Sequence, residues 1–263
     1  MSHTFKLLSA FFKVNMQMML AYRIDTLVNI LLSLMSLGWE LLGLSIIFSN
    51  TTRLGGWGLG ELIALLGVFH LVNALMQILI WPNTEKFNSS VRDGTLDFTF
   101  LLPANSMFLV TFSRMVIWRA WDLVLGAVLI VVGTNMSGGA ATSPFNLFSF
   151  LLLSASGSLI LYSLWIVLIA ATFWFVKFDN NVTILQALLD TGRYPSTIYP
   201  IWLRLLVTFV VPIAVATTVP LQALRGEFGG WQVLMFLAIS AISFMLALLV
   251  WKYGVRRYSG ASS

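Results

Sequence analysis

The sequence predicts an all-α integral membrane fold with six transmembrane helices, and three observations predict it. Hydrophobic residues make up 59% of the 263-residue chain and charged residues 10%, against about 25% charged in soluble domains. Apolar runs of roughly 20 residues, enough at about 1.5 Å per residue to cross a bilayer, recur six times along it. They lack strict alternation, so helices and not a closed barrel must satisfy their backbone groups. Thirteen of the fifteen Lys and Arg residues then fall on one side of the membrane, which the positive-inside rule makes cytoplasmic.

The spans fall at 26–48, 61–80, 113–134, 146–173, 203–222 and 231–251, in a single domain over 1–263. Both termini are then cytoplasmic. So are Lys6, Lys13, Arg23, Lys86, Arg92, Arg114, Arg119, Lys177, Arg193, Arg204, Lys252, Arg256 and Arg257, while Arg53 and Arg225 lie outside. Trp81, Trp174, Trp202, Trp251 and Tyr253 fall at predicted cytoplasmic ends, and Trp57 and Trp231 at outer ends, the level that Trp and Tyr prefer.

Ahead of the first span, Lys6, Ser9, Lys13 and Gln17 form a polar stripe at helical spacing, with Phe5, Leu8, Phe12, Met16 and Met19 on another face. That pattern fits an amphipathic helix in the cytoplasmic interface. An uninterrupted apolar core with a cleavage site is absent from this stretch, so no signal peptide is expected.

Three later segments depart from a plain bundle. Between spans two and three, Pro82, Asn83 and Thr84 give a helix start and Gly94 a stop, predicting a short helix near 84–93. Phe87 and Val91 share one of its faces; Glu85, Lys86, Arg92 and Asp93 supply charge. It suits either a docking element or a solvated loop helix. Before span five, GRYPSTIYP brings Pro195 and Pro200, which interrupt the helix as a hinge, a gate or a rigid turn. After it, Pro212 and Pro220 predict short re-entrant outer helices between spans five and six, with Arg225 and Glu227 at the outer surface.

Polar residues inside spans carry a high cost and mark partners or cavities. His70, Asn73 and Gln77 occupy one face of span two, where they line a substrate path or hydrogen-bond to a neighbouring helix. Arg119 and Asp122, three apart, neutralise each other. Glu40 has no local partner and, beside Trp39, is placed toward the outer interface.

Several chemistries are excluded. Cysteine is absent and there are two histidines, so thiol chemistry, disulfides and His-based metal clusters are not expected. No phosphate loop, nucleophile elbow or zincin motif occurs. The chain is therefore expected not to be an enzyme. The basic residues are spread over five loops and ends, which argues against nucleic acid.

Two stretches, VRDGTLDFTFLLPAN from Val91 to Asn105 and GRYPSTIYPIWLRLLVTFVVPIAVATTVP from Gly192 to Pro220, resemble the membrane subunit of type 2 ABC transporters. The similarity extends over nearly the whole chain, closest to the permease branch called ABC-2 family transporter protein. The resemblance implies a permease of an ATP-driven exporter in a bacterial inner membrane, working as a dimer with a second copy or a related permease. ATP and Mg would bind a separate ATP-binding subunit. The resemblance also implies a coupling helix near 83–95, with Glu85, Lys86, Phe87, Val91 and Arg92 as contact residues. The competing expectations are a nucleotide-independent lipid scramblase or membrane-embedded enzyme, and a structural assembly subunit.

Overall fold

Backbone groups in an apolar medium must pair within their own segment, and in the computed structural model the regular elements among the described residues are helices, beside one isolated bridge, Leu54 to Trp57. The structure describes residues 2–138, 143–174 and 181–257, so Lys177 and Asp179 lie outside the described residues. In order, the helices are α1 (Ser2–Ala21), α2 (Arg23–Asn50), α3 (Leu59–Leu75), α4 (Trp81–Arg92), α5 (Leu96–Phe100), α6 (Ser106–Phe112), α7 (Ala120–Met136), α8 (Pro144–Ala171), α9 (Asn181–Asp190), α10 (Ile201–Leu205), α11 (Ile213–Leu224) and α12 (Gly230–Arg257).

Among the described residues five stretches are long and apolar enough to cross a membrane: α2, α3 with α4, Ile117–Met136, α8 and α12. The α2–α3 turn, the start of α8 and the α11–α12 turn share one end of the bundle. There Arg225 pairs with Glu61 at 3.0 Å, its guanidinium sits over Trp57, and Gly226 lies against Asn146. This is the Gly55 end; the α4–α5 turn at Gly94 marks the other.

Pro82 does not start a new helix. A π turn at Met76–Ile80 joins α3 to α4 in one helical stretch of 34 residues. Proline lacks a donor, and the Ile78 carbonyl this leaves free accepts the Val116 N–H at 3.1 Å. Span three accordingly begins later than predicted, because 113–116 is irregular where it docks on α4. Gly94 ends the long helix as expected, at φ +68°, a conformation open to glycine.

The tightest packing is between α3 and α7. Gly60 and Gly67 face Gly133 and Gly126, each pair seven residues apart on antiparallel helices; a Cβ on Gly67 would lie 2.6 Å from the Gly126 carbonyl oxygen. Small residues let the two backbones touch, the usual adhesive where lipid removes the hydrophobic drive. Gly157 of α8 meets α11 in the same way, at Ala216.

The fifth crossing corrects the prediction most. It is not one helix at 203–222, and no helix separates α11 from α12. Buried Leu185 and Leu189 pack α9 into the bundle, α9 touches α4, and the following turn sets Gly192 against Phe69, Ile213 and Thr217. Thr197 then donates to the Gly55 carbonyl at 2.9 Å. From there the helical stretch Ile201–Thr208 leads to Pro212, where the axis bends by 86° into α11, which runs to the Gly55 end. The bend at Pro212 parts two helices that together form either a broken span or a re-entrant loop, and Pro220 is carried within α11. Arg204 donates to the Ser196 and Thr197 carbonyls, and Tyr199 donates to Thr191. The two prolines at 195 and 200 thus frame a hydrogen-bonded turn. Arg193 and Arg204 do not lie on the predicted cytoplasmic side.

Trp57, Trp81 and Trp251 are buried within the chain, whereas Trp174, Trp202, Trp231 and Tyr253 are exposed. The α1 helix is separate from α2, with non-helical backbone at Tyr22. It packs on the bundle through Phe11 and buried Asn15, whose Oδ1 accepts the Met115 N–H at 3.1 Å, while Phe5 and Phe12 of the expected apolar face are exposed.

Candidate functional site

A charged cluster lies inside the bundle where α2, α3 and the α9 turn meet. Glu40 stands ten residues before the end of α2, about 15 Å from that end at 1.5 Å per residue. Its Oε2 is 2.8 Å from His70 Nε2, and its Oε1 is 2.9 Å from Arg193 Nη1. Arg193 Nη2 reaches Asp190 Oδ1 at 2.9 Å, and the guanidinium carbon lies 5.2 Å from the centre of the Phe69 ring. The ring of Phe69 is in turn edge-to-face with His70. Isolated charge at this depth is strongly disfavoured, and each charged side chain here has an ionic partner, although Arg193 Nε makes no hydrogen bond. Glu40 therefore faces inward to two partners and does not reach the outer interface.

Of the predicted path stripe, His70 is buried in this cluster. Asn73 is half-buried, and Gln77 falls in the π turn; neither side chain hydrogen-bonds among the described residues. Arg119 and Asp122 pair at 3.1 Å as expected, and Asp122 also accepts from Ser33 on α2.

At the Gly94 end the predicted contact residues part company. Phe87 is 2% exposed, edge-to-face with Phe173 at 5.6 Å and 5.9 Å from Trp251. It ties α4 to the ends of α8 and α12 and presents nothing outward. Val91 is half-buried. Glu85 and Lys86 border a groove shared with Asn15, Met19 and Arg114, and Lys86 donates to Ser113 at 3.1 Å. Arg92 is exposed beside Asp93.

The turn beyond them holds what the sequence reading passed over. Phe98, Leu101 and Leu102 are 71%, 79% and 52% exposed at the far tip, with Asp93 and Asp97 near them. The signal was present in DFTFLLP, an apolar run too short to span and outside any helix-period pattern. The Glu40–Arg193 pair had no such signal, since its members are 153 positions apart.

Among the described residues no group of three or more His, Cys, Asp or Glu side chains is placed to hold a metal ion. Residues 34–262 match the family described as ABC-2 family transporter protein. No curated protein and no solved structure matches the chain.

Proposed function

Since the chain belongs to the ABC-2 family of transporter proteins, we propose that it is the membrane permease subunit of an ATP-driven exporter and that its α4–α6 tip docks on a separate ATP-binding subunit. The α3–α4 stretch carries the proposal. Its 34 residues extend for about 51 Å, against a hydrocarbon thickness of about 30 Å, so the Gly94 end stands roughly 20 Å beyond the apolar core. Phe98, Leu101 and Leu102 follow the Gly94 turn at this end, where α5 and α6 fold back along α4. Exposed apolar side chains ringed by charge mark a protein-binding surface.

In this arrangement Arg92 and Val91 form the base of the contact, and Glu85 and Lys86 flank it through α1. Phe87 acts from inside, transmitting movement of α4 to α8 and α12 through Phe173 and Trp251. ATP and Mg bind the partner, and its nucleotide-driven closure is felt here as differential binding to two permease states. The apolar sides of α2 and α12, largely exposed at Trp39, Met35, Ile242 and Leu249, serve membrane lipid and a second permease copy. The tip end faces the cytoplasm, and the cargo leaves through the inner membrane toward the Gly55 end.

The test is the double variant Phe98→Asp with Leu101→Asp, reconstituted with the ATP-binding subunit. Membrane insertion is expected to be unchanged and permease-dependent stimulation of ATP hydrolysis to be lost. Full stimulation in that variant would remove the tip from the mechanism. Phe87→Asp, by contrast, is expected to lower the yield of folded protein, because it places a buried carboxylate against the Phe173 and Trp251 rings.

A further inference from the structure

We infer that Arg193 is the moving member of an ionic latch that holds the broken fifth crossing against α2 and α3, with Glu40 as its fixed acceptor and His70 as the partner Glu40 keeps when the latch opens. The latch rests on the permease reading for its purpose, although its test needs neither nucleotide nor partner subunit.

Separating a buried ion pair ordinarily leaves uncompensated charge, which makes such pairs poor moving parts. Here both members have a second partner that stays with them. Glu40 keeps His70, whose Nε2 is 2.8 Å from Oε2 while Arg193 uses Oε1. One imidazole N–H is enough to donate to the carboxylate, in the neutral ring or the imidazolium. Arg193 keeps Asp190, three residues earlier, at 2.9 Å. The pair can part and leave no charge alone.

The segment carrying Arg193 is built to move as a unit. Asp190 ends α9 and Arg193 ends the 3-10 turn that follows it directly, so the two move together, and extended backbone at Tyr194 and Pro195 separates them from the Ser196–Ile198 turn. Its far end is tied to the α2–α3 turn by the hydrogen bond from Thr197 to Gly55 and by Ile198, which occupies the space a Cβ on Gly55 would need. On its inner side Gly192 covers Thr217 of α11, which is 0% exposed. Asp190 and Arg193 themselves retain 57% and 35% side-chain exposure, so they border open space and can shift without crossing packed core. Around the pair, α2 contributes Glu40, α3 contributes Phe69 and His70, the α9 turn contributes Asp190, and α11 presents Ile213 and Thr217.

The chain has no cysteine, so Thr217→Cys supplies a single thiol beneath Gly192. Its modification by a charged, membrane-impermeant methanethiosulfonate is followed in the full chain in lipid nanodiscs. Arg193→Gln in that background is expected to speed labelling about tenfold, and Arg193→Lys, which keeps the charge, to stay within about threefold of background. His70→Leu is expected to leave labelling at or below background, because Glu40 without its second partner holds Arg193 more firmly. A mere structural brace would give faster labelling on loss of either residue. Faster labelling in His70→Leu, or an unchanged rate in Arg193→Gln, overturns the latch. Loss of ATPase stimulation in the tip variants bears on the permease reading alone.

Discussion

Gly133→Ala is expected to destabilise the bundle by about 3 kcal/mol, the upper end of the usual overpacking range. A Cβ at this position collides with the Ala64 amide nitrogen and the Gly60 carbonyl oxygen. Both are backbone atoms, so no side chain can rotate away. The α3 and α7 helices would have to separate, and the contacts at Gly67 and Gly126 would be lost with them. Gly38→Ala is the control, since the space around Gly38 on α2 is open and the residue is helical; there alanine is expected to be neutral or slightly favourable. Unfolding in mixed detergent micelles gives the comparison. Equal stabilities for the two variants would mean that the α3–α7 contact does not hold the molecule together.

The second large effect is expected at Asn83, which is 1% exposed. The two hydrogens of its Nδ2 are shared among the Leu79, Thr111 and Arg114 carbonyls, at 2.5, 2.7 and 2.7 Å, and its Oδ1 accepts from the Arg114 N–H and the Ser113 hydroxyl, both at 3.0 Å. One side chain thus satisfies the irregular stretch 113–116 that Pro82 and the Ile78 carbonyl hold on their other side. Asn83→Ala leaves several of these groups unpaired at about 1–3 kcal/mol each, not additively, and a net loss of about 3 kcal/mol is expected. Asn83→Asp should be at least as harmful, because a carboxylate then faces three carbonyl oxygens. Amide exchange at 113–116 should rise before the rest of the bundle opens. A loss under about 1 kcal/mol would show that the α4 junction is held elsewhere.

The crossings by α2, α3, α8 and α12 were legible because apolar length decides them, and Gly94 and the Arg119–Asp122 pair because their signals are local. The fifth crossing was not. Hydropathy registers that Leu203 to Val211 is apolar but carries no direction, and an 86° bend at Pro212 leaves the same composition as a straight span. Pro82 misled for a related reason: whether proline starts a helix or is absorbed by one depends on who takes the carbonyl it frees, and Val116 is 34 positions away. In the candidate site the sequence selected His70 but not the carboxylate it binds, because Glu40 and Arg193 had been assigned to different levels of the membrane. The seven-residue spacing of Gly60 with Gly67 and of Gly126 with Gly133 was readable and went unused.

The tip is reached most directly by a single thiol. Leu101→Cys, in a chain without other cysteines, is to be cross-linked with a short thiol-to-amine reagent in native membranes and the products identified by mass spectrometry. The expected product joins position 101 to a soluble ATP-binding subunit, with one permease chain per nucleotide-binding chain. Reaction of that thiol only with reagent applied on the same side as an Arg53→Cys thiol, with no ATP-binding subunit captured, would contradict the permease assignment of this end.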